Sequence, residues 1–272
     1  MRIFSASPCR ARSFGALVLC CWGTASALAC GSVAGNDSPS GSGGAATGAA
    51  GAAGTSGAAG AGPRTPTPGC RAPAGVSNAP KSIAETMTLI NALPKPLTLP
   101  CFLESLARPL ATYATFSVIS AQPAVGSRSP RIFLSIGANT MSIVPDGVGE
   151  PLLEFGEARP NYRSLKAEFE FPLLMPVLAS TPYDRVMFND QITSCALCHA
   201  DEVQDSSISG VRAFVSQSFR PTPGERVSLA ALQHELDICD RTREPSRCAL
   251  LDGLLGWGPL VDFEFPTQMA TF

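Results

Sequence analysis

Residues 31–69 are almost entirely Gly, Ala, Ser, Thr and Pro, with Asp37 and Arg64 the only charges. Such side chains leave no apolar surface to bury, so nothing offsets the entropy of ordering the backbone. The tract is expected to be a flexible coil with an end-to-end distance of about 35 Å. Its Gly-Ala-Ala units are low complexity and not a structural repeat with a core. Folding is thereby confined to residues 70–272, about 200 residues, enough for one large domain or two small ones.

What precedes the tract reads as an export signal. Arg2, Arg10 and Arg12 form a basic region, Phe14 to Trp22 a short apolar one, and Ala27-Leu28-Ala29 a small-x-small cleavage pattern. Residues 1–29 are thus expected to be a signal peptide. No other stretch is long and apolar enough to span a bilayer. Cys30 follows the cleavage point, and Ala27-Leu28-Ala29-Cys30 resembles a bacterial lipobox with Ala27 where Leu is usual. Lipid on Cys30 would make residues 30–69 an anchor and leash; the general signal peptidase would cut the same bond and leave the chain unanchored.

The chain holds ten Cys and two His, and five consecutive residues use three of them: Cys195-Ala196-Leu197-Cys198-His199. Chance predicts about 0.003 occurrences of this spacing in such a chain. C-x-x-C-H is the covalent attachment signature of c-type haem, whose thioethers form outside the cytoplasm, in keeping with export. Cys9, Cys20 and Cys21 leave with the signal. Once Cys30, Cys195 and Cys198 are set aside, Cys70, Cys101, Cys239 and Cys248 remain. An even remainder in an exported chain points to two disulfides. Three connectivities exist, and pairing by module gives Cys70–Cys101 and Cys239–Cys248.

Two modules are expected, meeting near residue 180. Residues 70–180 carry 9 basic and 8 acidic side chains, residues 181–272 carry 7 and 13. Neither has the basic stripe of a nucleic-acid binder, which excludes that class. In 70–180, Ser82-Ile83-Ala84-Glu85 reads as a capping box for a short helix through about Ala92. Strand signals follow at 113–120, 131–137, 140–144 and 152–155, with Pro145-Asp146-Gly147 as a turn. Residues 164–171 alternate: Leu165, Ala167, Phe169 and Phe171 face one way, Ser164, Lys166, Glu168 and Glu170 the other. A sheet with one wet face follows, either sandwich or meander, with no catalytic constellation. In 181–272, the Asn189-Asp190 pair is expected to cap a short helix into the motif, and Val186-Met187-Phe188 to supply apolar contacts. Ser228 caps a helix, and another follows Pro245 and stops at Gly256. The fold class expected is α+β: an antiparallel β-rich module, then a small, mostly helical one.

The second module resembles a mono-haem c-type cytochrome domain, similar in size to class I cytochromes c. The resemblance implies one covalent haem c, thioethers at Cys195 and Cys198, and His199 as proximal iron ligand. The Gly-Pro-x-Leu-x-Gly segment that usually follows the motif is missing; Gly258-Pro259-Leu260 has a similar look near the C-terminus. The distal ligand stays open between His234 and Met269. His234 lies roughly opposite the apolar stripe of Leu229, Leu232, Leu236 and Cys239 on its helix. Met269 sits in an apolar tail, 263–272, expected to pack.

The leading expectation is an exported electron carrier of the cell envelope, lipid-anchored in the periplasm or at the outer membrane, that exchanges single electrons with a redox protein partner. The alternative is a surface-exposed ligand-binding lipoprotein whose β-module recognises a ligand and whose haem is structural or sensory. A peroxidase of this cytochrome class would carry two haem motifs, and this chain has one. Zinc on Cys195, Cys198 and His199 would need a fourth ligand, drawn from Cys239 or Cys248 at the expense of a disulfide.

Overall fold

A computed structural model of the chain describes residues 67–117 and 122–271. The signal peptide, Cys30 and nearly all of the Gly/Ala tract lie outside the described residues, as do 118–121. Helix α1 (Ile83–Ala92) starts where the sequence places it: Ser82 Oγ accepts from Glu85 N–H at 3.1 Å. Glu85 reaches back one residue further than a standard capping box, to Lys81 N–H at 2.7 Å. Helix α2 (Leu99–Ser105) was not legible within a proline-rich stretch. Thr98 caps it, and Pro100 falls in its first turn, where the missing N–H costs nothing.

Nine strands form one sheet: β1 (Leu110–Thr115), β2 (Arg131–Ile136), β3 (Asn139–Ile143), β4 (Leu152–Arg159), β5 (Arg163–Glu170), β6 (Val203–Gln204), β7 (Phe214–Gln217), β8 (Arg226–Val227) and β9 (Leu260–Asp262). Their order is β6-β7-β5-β4-β3-β2-β1-β8, and β9 also pairs with β1. All pairings are antiparallel except β1–β9. The meander β2 to β5 turns on Gly137, at φ 62°, and on Asn161 and Tyr162, at φ 60° and 53°. Of the two expected architectures, a single extended meander forms.

The expected boundary near residue 180 does not separate two modules, because strands from beyond it complete the sheet. An unpaired edge leaves backbone N–H and C=O groups without partners. β7 pairs the outer edge of β5, while β8 and β9 share the outer edge of β1. The described residues therefore fall in one compact unit. The segment 181–272 is likewise less helical than expected: it holds α3 (Thr181–Arg185), α4 (Leu229–Asp237) and α5 (Pro245–Leu255) beside four of the nine strands.

The core lies on one face of the sheet. Ile132, Leu134, Met141, Ile143, Leu153 and Phe169 pack there against α1, α2 and α5. Helices α2 and α5 approach so closely that a Cβ at Gly253 would lie 2.5 Å from the Pro100 carbonyl oxygen. Arg108 closes the same junction, with Nη2 donating to the carbonyls of Leu103, Gly253 and Leu254. Cys70–Cys101 ties the start of the folded region to α2, and Cys239–Cys248 ties the end of α4 to α5, the modular pairing expected. No helix among the described residues is long and apolar enough to cross a membrane.

Candidate functional site

The opposite face of the sheet is not bathed in water as its charged residues had led one to expect. It floors a cavity of about 700 Å³ whose wall includes Ser142, Glu154, Ser164, Lys166 and Glu168. The alternation along β5 is as read, but Lys166 is only 7% exposed and Ser164 is buried beside it. Glu168 and Glu170, expected to be solvated, both pair with Arg185 of α3; Glu170 stays exposed as expected, while Glu168 is half-buried. Two segments distant in sequence cover this face: the C-x-x-C-H turn and the tail carrying Phe263, Phe265 and Met269. Phe265 packs edge-on against Phe133 of β2 at 5.3 Å, which seats the tail on the sheet.

The motif sits on a 3-10 turn, Ser194–Leu197. Its cap is Thr193, whose Oγ accepts from Cys195 N–H at 3.1 Å. Glu202 holds Thr193 in turn, accepting from its N–H at 2.7 Å and its hydroxyl at 2.5 Å. The Asn189-Asp190 pair does not cap this turn. Asn189 Oδ1 accepts from Gln191 and Ile192 N–H, bending the chain before the motif.

His199 Nδ1 lies 2.7 Å from the Gln217 carbonyl oxygen at the end of β7. A carbonyl only accepts, so Nδ1 carries the proton and Nε2 the lone pair, the tautomer a metal-bound imidazole needs. Burial, reinforced by the nearby Lys166 cation, pushes the His199 pKa down to about 4. The ring is therefore neutral at physiological pH. Phe219 flanks it, ring centroids 5.3 Å apart.

Cys195 and Cys198 are the two described cysteines left as thiols. Cys195 lines the cavity, and burial raises its pKa against the opposing pull of Lys166. Cys198 is exposed and outside the cavity wall. Of the candidate distal ligands, Met269 lines the cavity; His234 is exposed on α4 and does not. The tail around Met269 is fixed by Arg220, which donates from Nε to the Met269 carbonyl and from N–H to the Ala270 carbonyl. Val186 reaches the cavity wall as expected, while Met187 and Phe188 do not, and Phe188 is exposed.

Lys166 is the site residue that sequence reasoning missed. Its Nζ donates to Ser164 Oγ at 2.7 Å, and no carboxylate among the described residues forms a salt bridge with it. Burial lowers its pKa to about 8. The alternating pattern placed it on the second face, but nothing local announced that a distant tail covers that face.

Covalent haem attachment asks for reduced thiols and a neutral imidazole beside a cavity of cofactor size. Cys195 and His199 meet that demand directly. Cys198 meets it only if the porphyrin rim reaches the cavity mouth. The zinc reading fares worse: Cys239 and Cys248 are bonded to each other, and among the described residues no group of three His, Cys, Asp or Glu is placed to hold a bare ion. Compared with protein-family models, with curated proteins and with solved structures, the chain shows no match.

Proposed function

We propose that this protein is an exported, lipid-tethered mono-haem c-type cytochrome that carries single electrons between partners of the cell envelope. The observation that supports it best is the placement of His199: a neutral imidazole on the wall of a 700 Å³ cavity, its Nδ1 proton directed to the Gln217 carbonyl. When bound, the haem supplies one-electron iron chemistry. Cys195 and Cys198 would hold it by thioethers, and His199 Nε2 would ligate the iron. Met269 is the preferred second ligand, since it shares the cavity wall with His199 while His234 stands outside it. The haem-binding segment works here as part of the sheet, so the likeness to a free-standing cytochrome domain is limited to the motif and its ligand. The excess of acidic groups over residues 181–272 favours a partner with a basic docking patch.

The test is expression of the full chain with a c-type maturation system, then a haem stain of the denatured protein. One haem per chain is expected, lost in His199→Ala and in the double variant Cys195→Ala/Cys198→Ala. An unstained wild-type band would overturn the proposal. The second reading, a ligand-binding lipoprotein with structural or sensory haem, gains from the cavity lying on the β-rich part of the chain. It predicts a haem that stains yet fails to exchange electrons with small redox mediators.

A further inference from the structure

We propose that the loop from Leu173 to Leu178, between β5 and α3, is a lipid-facing contact that seats the folded unit on the bilayer to which Cys30 tethers it; this rests on the lipid-anchor reading given above. Three large apolar side chains on this loop point to water: Leu174 is 73%, Met175 70% and Leu178 74% exposed. From Phe171 to Tyr183 the chain carries no charged residue. Single exposed apolar residues need no explanation, but three within five positions form a patch that calls for an apolar partner.

The loop is held in shape. Leu173 and Leu97 exchange backbone hydrogen bonds at 2.8 and 2.9 Å. The Asn91 side chain accepts from Val177 N–H at 2.8 Å and donates to the Val177 carbonyl at 3.0 Å. Leu173 and Val177 pack against the core. With those two turned inward and pinned, Leu174, Met175 and Leu178 are presented outward by a fixed backbone.

The choice of a lipid surface as partner comes from where the leash joins the fold. Gly69, the last residue of the Gly/Ala tract, lies against Pro94: a Cβ there would sit 3.1 Å from Pro94 Cγ. Pro94 falls between Asn91 and Leu97, the two residues that grip the loop. Thr67 N–H, two residues earlier, is bonded to Glu104 Oε1 at 2.8 Å. A chain anchored through residues 30–69 thus leaves the fold on the side that bears the apolar patch. Three such side chains give a modest but measurable affinity for a bilayer, and under the tether's high effective concentration that contact sets orientation.

The experiment uses full-length protein carrying Cys30→Ser, which removes the acyl chain, and vesicles of equal parts phosphatidylethanolamine and phosphatidylglycerol. The unacylated protein is expected to co-sediment with vesicles, and the further change Leu174→Ser/Met175→Ser/Leu178→Ser to lower the bound fraction about tenfold. Met175→Asp alone, at an exposed position that folding tolerates, is expected to lower it as well. No sedimentation of the unacylated protein, or sedimentation of the serine and aspartate variants equal to that of the Cys30→Ser parent, overturns the loop contact. Labelled palmitate on the wild-type chain separately tests the tether: no label alongside loop-dependent vesicle binding removes the anchor reading and upholds the contact.

Discussion

Lys166 and His199 occupy one cavity, and each is held away from its ordinary protonation behaviour by burial. For Lys166 the folded pKa is about 8 against 10.5 for an unhindered lysine. Between those two values the unfolded chain binds more protons than the folded one, so stability rises with pH across that window. We predict that Lys166→Met removes this rise, read as urea midpoints that no longer climb between about pH 8 and pH 10.5. Thr193 makes a second residue-scale case. Thr193→Ala deletes the cap of the motif turn and one of the two hydrogen bonds Glu202 accepts from residue 193, the backbone one remaining; a loss of about 1–2 kcal/mol is expected, with Thr193→Ser restoring most of it. Thermal unfolding of the three proteins checks this. The haem motif itself was legible because its five residues are contiguous. Thr193, Gln217 and Lys166 were not, because what makes them matter is a partner nine to eighteen residues away or a covering tail contributed from elsewhere.

Among the elements, legibility followed capping. Ser82 and Ser228 announce α1 and α4, and Gly256 marks the end of α5. Helix α2 lies among prolines that mimic a loop, and β7 carries an apolar pattern only four residues long, too short to announce a strand. Gly253 shows how tertiary contact overrides propensity. Alanine is the better helix former by up to about 1 kcal/mol. Yet its Cβ would press into the Pro100 backbone, where no side chain can swing aside. Gly253→Ala is therefore expected to destabilise by about 1–3 kcal/mol, measurable by chemical denaturation. Replacing Cys239 and Cys248 together by serine should cost about 2–3 kcal/mol, since the closed loop is short. A stability unchanged by that double substitution would show that α4 and α5 hold together without the bond.

For the molecule as a whole, composition pointed to a division that the sheet does not respect. The shift in charge near residue 180 is real, but hydrogen bonding across sheet edges is blind to it. On the haem reading the same long-range closure bears on the iron ligand, because it brings Met269 to the cavity wall. Met269→Ala in the haem-loaded protein is expected to abolish the sulfur-to-iron charge-transfer band, while His234→Ala leaves the optical spectrum unchanged. The reverse pattern would move the distal ligand to α4. The parallel pairing of β9 with β1 carries one more consequence. As the chain emerges N-terminus first, β1 pairs β2 early, but its outer edge gains β8 and β9 only once the segments beyond residue 225 have followed. Until Phe263, Phe265 and Met269 emerge, the polar face with Lys166 lies open. On the haem reading this opens an interval in which residues 195–199 have emerged, the roof is still absent and the prosthetic group has its freest access to the site. A chain whose tail arrived before its haem would complete its sheet over an empty room.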